Sequence, residues 1–323
     1  MKIHKWTLAL FAVLALWLPR ASEAQKVYHI GSLNTAEQLV SSFDGFKSRM
    51  AELGYVEGRN VRYDFYNAKG SEEALIGFAH KLAQDRVDMI VTSSTAATVA
   101  AAKATVGTNI PVVFLSAGNA QMLVKSFSSS GSNLAGVSSA SVELMAKRFE
   151  LLKEMAPRVK RIALFSNPTG VNYQSILAEA RDAAKKMGFT LWEVDVPSRE
   201  EVIKVTPTVT RKTTDAIYTP PDSLVTDAIE FIVQQSIKEK LPVITTLIAN
   251  VKKGCLATYS ADYFALGRQG AVLVDKILKG AKRSSLPIEQ PYKLKLVINL
   301  KTAEAIGLKI PKEILLRADE VIE

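Results

Sequence analysis

The chain has 323 residues, 48% of them hydrophobic and 23% charged, which suits two compact units and excludes extended disorder. Its formal charge of +9 is scattered, as at Lys185-Lys186, Lys252-Lys253 and Lys282-Arg283 near predicted helix ends. No basic stripe interleaves with aromatics, so no nucleic-acid partner is expected, and the lone Cys255 excludes an intramolecular disulfide.

The first predicted element is a leader rather than part of the fold. Lys2 and Lys5 precede an apolar run from Leu8 to Leu18, followed by Pro19, Arg20 and Ala21-Ser22-Glu23-Ala24. A basic start, an apolar run of about 11 residues and a small-x-small exit describe a secretory signal peptide. That run is too short for a membrane helix, which needs about 20 residues. Cleavage after Ala24 would leave Gln25 first and lower the charge to +7, because the leader carries three basic residues and one acidic. No cysteine lies near the exit for lipid attachment, so a freely soluble periplasmic protein is expected.

From residue 26 onward, short Val- and Ile-rich runs alternate with longer segments of helical spacing. The predicted strands are Val27–Leu33, Val61–Tyr66, Met89–Thr92, Val112–Leu115, Ile162–Phe165, Leu191–Val196, Ala216–Tyr218, Val243–Thr245 and Leu256–Thr258. Between them fall helices Val40–Leu53, Ser71–Ala83, Thr95–Ala104, Val142–Glu154, Tyr173–Met187, Ser223–Ile237 and Phe264–Leu278. Strands alternating with helices imply βαβ units, hence an α/β fold with parallel sheets covered on both faces. Gly54, Gly188 and Gly280 stand where helices must stop, and Pro111 and Pro242 where strands open.

Small polar residues at Ser126–Ser141, Thr258–Ala261 and Leu286–Pro291 mark three crossings between two lobes. The expected division is residues 25–139 with 261–287 in lobe 1, and 140–260 with 288–323 in lobe 2. Three short crossings form a hinge that can open and close without breaking either core.

In open parallel sheets ligands bind beyond the carboxyl ends of the strands. In lobe 1 that rule selects Ser32, Asn34 and Thr35 after the first strand, Ser93, Ser94 and Thr95 after the third, and Ser116 and Asn119 after the fourth. In lobe 2 it selects Asn167, Asp222, Thr245 and Thr246. These loops offer hydroxyls, amides and helix N-termini, and Asp222 is their one ionisable group. Ser94 and Thr95 can hold an anion at the start of their helix, although Ser94 equally suits a plain N-cap. Asp222 can receive an ammonium or hydroxyl, or cap the helix that starts at Ser223. Tyr66 and Tyr259 stand at strand ends where an aromatic could wall a cleft, and Phe65 should point to the opposite side from Tyr66.

Catalytic and metal patterns are absent from the sequence. After the leader the histidines are His29, in a strand pattern, and His80, in a helix pattern, and both read as structural. Neither has metal-ligand spacing, no histidine lies in the cleft loops to serve as general base, and there is no Gly-x-Ser-x-Gly, phosphate loop or Gly-x-Gly-x-x-Gly. Cys255 reads as a buried small hydrophobe. No enzyme, cofactor or metal is therefore expected.

A series of short motifs, from about Ile30 to Pro311, carries a resemblance. It includes Glu52-Leu53-Gly54-Tyr55-Val56-Glu57-Gly58-Arg59-Asn60, Ile110-Pro111-Val112-Val113-Phe114 and Val251-Lys252-Lys253-Gly254. Further on come Asp262-Tyr263, Leu266-Gly267-Arg268-Gln269, Ile277-Leu278-Lys279-Gly280 and Val297-Ile298-Asn299-Leu300-Lys301-Thr302-Ala303, with Gly307-Leu308. In this order they resemble the substrate-binding protein family of ABC transporters that includes tryptophan- and tyrosine-binding members. The resemblance implies the type I periplasmic binding fold, two Rossmann-like lobes and closure of a monomer around a small polar solute. It also implies delivery to a membrane permease and, through it, a cytoplasmic ATPase. Amino-acid-binding relatives often have Asp-Pro after the fourth strand, where this chain has Gly118-Asn119, and Thr-Asp-Asn where it has Pro221-Asp222-Ser223. Only Asp222 then remains for an ammonium, and a carboxylate or a neutral polar solute fits equally. A sensor that passes its closed form to a signalling receptor would use the same closure. A transcription factor with these lobes would need a DNA-binding head where the leader stands.

Overall fold

A computed structural model describes residues 26–129 and 132–323. The leader and its cleavage position lie outside the described residues. Two sheets organise the chain. The first has strand order β2-β1-β3-β4-β5, from β1 (Tyr28–Asn34), β2 (Val61–Asn67), β3 (Met89–Thr92), β4 (Val112–Ala117) and β5 (Leu134–Ser138), all parallel. The second has order β12-β11-β10-β9-β8-β6-β7. Its strands are β6 (Arg161–Ser166), β7 (Thr190–Asp195), β8 (Ala216–Thr219), β9 (Val243–Thr245), β10 (Ala257–Ala261), β11 (Leu294–Asn299) and β12 (Glu320–Ile322). One neighbouring pair there, β10 with β11, is antiparallel, and the rest of this sheet is parallel as expected.

The central strands are buried on both faces, as their continuous apolar runs require: β3 and β8 have no half-exposed residue. Helices cover the faces. Those of the first unit are α1 (Val40–Glu52), α2 (Glu72–Gln84) and α3 (Thr95–Ala104). The second unit has α4 (Met145–Met155), α5 (Tyr173–Met187), α6 (Arg199–Val205), α7 (Ser223–Asp227), α8 (Ile229–Glu239) and α9 (Ile248–Lys252). Ser71 and Ser94 cap α2 and α3 by accepting from the backbone N–H of Ala74 and Ala97. Helix α5 stops at Gly188, which takes the left-handed conformation (φ 74°) that a Cβ would penalise. The single helix expected over Ser223–Ile237 is broken at Ala228, whose φ of −94° and ψ of 11° end α7 and start α8.

Helix α10 (Tyr263–Leu278) returns from the second sheet and lies against α1 and β4 of the first. The approach is backbone to backbone, because a methyl group on Gly267 would meet the Ser42 carbonyl. At its edge Arg268 donates to both carboxylate oxygens of Glu52 (2.7 and 2.9 Å). Hydrogen bonds from Arg268 and Arg49 hold that carboxyl down at about 2. After α10 the chain enters β11 and ends with α11 (Leu300–Ala305), α12 (Lys312–Leu315) and β12. The stretch from Ser126 holds β5, so the chain leaves the first sheet only after Ser138. Arg148, fully buried on α4, donates to the carbonyls of Ser141 (2.6 Å) and Tyr259 (2.9 Å) and so ties two passages between the sheets together.

Candidate functional site

The carboxyl ends of the two sheets face one cavity of about 230 Å³. Each predicted residue is placed by how far its strand runs. Strand β1 continues to Asn34, so Thr35 rather than Ser32 is the first residue at the cavity. Thr35, Ser94, Thr95, Ser116, Asn167, Asp222 and Thr246 all line it. Six others do not. Ser32 is buried within β1 and accepts from Asn34 Nδ2 (2.9 Å). Ser93 is buried against α1, accepting from Ser42 Oγ (2.8 Å). Asn119 is buried and its backbone N–H donates to Thr95 Oγ1 (3.0 Å). Thr245 accepts from Asn250 Nδ2 (3.0 Å). Tyr66 stacks on Phe78 of α2 at 4.8 Å, on the side of the sheet opposite Phe65, which stacks on Phe43 of α1. Tyr259 packs against the second unit's core. Tyr263, at the start of α10, is the cavity's aromatic residue besides His80.

Much of the hydrogen-bonding capacity here is already used. Ser94 Oγ is committed to its cap, and Thr95 Oγ1 to Asn119. Asn167 Oδ1 accepts from the N–H and hydroxyl of Thr169. Across the cleft, Ser223 Oγ–H donates to Thr35 Oγ1 (2.7 Å) and Gln38 Nε2 to the Thr226 carbonyl (3.2 Å), so the two units touch directly.

Among the described residues three lining atoms have no partner: Ser116 Oγ, Asn172 Oδ1 and Thr246 Oγ1, all on buried residues. A buried polar atom without a hydrogen bond costs about 1–3 kcal/mol, and a bound polar group is one way to satisfy it. Asp222 stands with them. Its Oδ1 caps α7 by accepting from Leu224 N and Val225 N (2.9 and 3.1 Å), and Oδ2 is turned toward Gly170. Burial pushes the Asp222 carboxyl up to about 6 despite those two backbone donors. The site therefore presents one acid poised near neutrality among hydroxyl and amide groups.

Asn172 and Gly170 extend the predicted loop Asn167–Thr169 by three residues, and chain alternation could have signalled them only as "the loop before α5". His80, read from its helix pattern as structural, lines the cavity from α2 and is exposed. His29 is held by Asp64 Oδ2 (2.7 Å) and Arg62 Nη2 (2.7 Å) in the first sheet. Cys255 is fully buried and its thiol is pushed up by that burial.

Comparison with known proteins adds three findings. The family model described as "ABC transporter substrate binding protein" matches residues 35–322. A "Tyrosine-binding protein" from Clostridioides difficile (strain R20291) is 28% identical over 291 residues, 89% of this chain and 83% of that one. Among solved structures, an ABC domain in complex with L-Trp from Streptococcus pneumonia is 28% identical, covers 92% of this chain and 100% of its own, and has a TM-score of 0.84. The ligand-free, open structure of a substrate binding protein from Clostridium difficile is 29% identical over 92% of this chain and 99% of that one, with a TM-score of 0.65. At nearly equal identity and coverage, the chain as a whole thus superposes better on the L-Trp complex. The fold is that of type I periplasmic solute-binding proteins, shared with sugar-binding members of much lower identity.

Proposed function

Because the chain belongs to the ABC transporter substrate binding protein family, a family of ligand-binding proteins and not enzymes, we propose that it is the periplasmic solute receptor of an importer. The leader directs export, and cleavage near Ala24 releases the mature chain. Residues 25–139 with 261–287 form one lobe, residues 140–260 with 288–323 the other, and the lobes close about the three passages between the sheets. The closed form then meets a membrane permease coupled to a cytoplasmic ATPase, and the chain acts as a monomer.

The solute is an amino acid or another small polar molecule that carries a carboxylate. The observation that carries this reading is the meeting of Ser116 Oγ, Asn172 Oδ1, Thr246 Oγ1 and the free oxygen of Asp222 at one cavity. Asn172 Oδ1 and Asp222 take donors such as an ammonium, while the hydroxyls of Ser116 and Thr246 donate to a carboxylate. Thr35, Ser94, Thr95 and Asn167 complete the wall. Closure is a population shift, so the solute must bind the closed form better than the open one.

The test is thermal unfolding of the chain from Gln25, freed of co-purified ligand, against amino acids, other carboxylates and sugars. Ligand at about 100 times its dissociation constant adds about 2.7 kcal/mol. Stabilisation by amino acids or carboxylates that Thr246→Val and Asn172→Leu abolish supports the proposal. Stabilisation by sugars alone, or by no compound, refutes the solute class.

A further inference from the structure

The cavity does not end at its polar head. It continues along one face of α2 and one face of α3, the neighbouring helices that pack on each other over the first sheet. On α2 the lining positions Glu72, Ile76 and His80 recur every four residues, and on α3 Ala96, Val99 and Lys103 recur every three or four. Both helices start at the head, so the groove between them leads away from it.

The groove has three parts that differ in chemistry. Its start is the hydroxyl and amide head. Its middle is aliphatic, and there two large apolar side chains stand uncovered: Ile76 is 46% exposed and Val171, from the opposite lip, 40%. Its far end carries Lys103 and His80, both exposed and, among the described residues, neither with a side-chain hydrogen bond or ion pair. Glu72, at the other end, has no ion pair among the described residues and lies two helical turns from His80. A lysine in a helix's last turn is favourable by itself. Here it stands instead beyond an apolar wall left open among the described residues, in a groove continuous with a site of unpartnered buried atoms.

We propose that the solute is elongated, with its polar head in the cleft, an unbranched apolar middle between α2 and α3, and a second carboxylate at Lys103 and His80. This rests on the solute-receptor reading and deepens it. From Thr95 to Lys103 is about 12 Å along the helix, at 1.5 Å per residue. Helical side chains lean toward the N-terminus, so the span from the head to Lys103 Nζ is somewhat shorter than that. A solute of about eight carbons, both end carboxylates included, fits that span. One aromatic ring would fill the aliphatic middle and leave Lys103 unpaired.

The probes are 2-aminooctanedioate and 2-aminooctanoate, which share head and chain length and differ in the distal carboxylate. Titration calorimetry should show the diacid bound about fivefold tighter, the upper range for one exposed ion pair. Lys103→Met should abolish that difference and leave 2-aminooctanoate unchanged. Equal binding of the two probes, or a difference that survives in Lys103→Met, overturns the elongated solute and leaves the receptor reading intact. The same holds if neither probe binds while a short amino acid does. If no compound of either kind binds, both readings fall.

Discussion

Asp222 links the chemistry of the cleft to pH. Its carboxyl, pushed up by burial from 3.8 to about 6, is about one-tenth ionised at pH 5 and nine-tenths at pH 7. An ammonium-bearing solute that requires the carboxylate should therefore bind about tenfold tighter at pH 7 than at pH 5. Without ligand the sign reverses. A carboxyl raised in the folded state contributes stability below about pH 4 that is lost as the pH rises through about 6, by at most about 3 kcal/mol for this shift. Asp222→Asn keeps an oxygen to cap α7 but cannot ionise. It should bind an amino acid weakly with a flat profile from pH 5 to 7, and it should gain stability over the native chain at pH 7 but not at pH 4. Calorimetry across that range, repeated in Asp222→Asn and in His80→Gln, separates this carboxyl from the cavity's histidine. A native profile that is flat, or one flattened by His80→Gln, would refute the role given to Asp222.

Three further substitutions probe the frame around the cleft. Ser223→Ala removes the 2.7 Å bond to Thr35; a loss of about 1 kcal/mol from the closed form should raise the dissociation constant about fivefold and enlarge the ligand-free protein in small-angle scattering. Arg148→Ala leaves the Ser141 and Tyr259 carbonyls without their donor and opens a hole in the core, so chemical denaturation should show a loss of about 3 kcal/mol or more. Gly267→Ala drives a methyl group into the Ser42 carbonyl and should cost about 3 kcal/mol through separation of α10 from α1.

The fold was legible wherever burial on both faces wrote a continuous apolar run. Met89–Thr92 and Val243–Thr245 have the bounds read from the sequence, and so do helices Thr95–Ala104 and Tyr173–Met187. Strands β5, β11 and β12 escaped, each for a physical reason. In β5, Gly136 at φ 155° packs its bare Cα on Phe114, and Gly and Ser in such a run read as linker. In β11 two half-buried residues, Leu294 and Lys295, precede the buried part, so the apolar run is short. Strand β12 has three residues, all half-buried, and pairs on one side only.

The site was half legible, and the halves differ in kind. The strand-end rule placed Thr35, Thr95 and Thr246 at the cavity because they follow strands whose ends the apolar pattern marks, and Ser116 because it stands in the last pleat of β4. It also took in Ser32 and Ser93, since polarity at a strand end does not say which face the next side chain takes. In β1 and after β3 the period of two turns those hydroxyls inward, toward Asn34 and Ser42. The α2–α3 wall was invisible to the rule because it lies on helix faces. Ile76, Val99 and Lys103 satisfy helical periodicity as an ordinary surface would, and only the packing of α2 beside α3 brings them to one groove. Strand ends thus specify where the polar head of the cavity lies, while the helix pair that flanks them sets how far its groove extends.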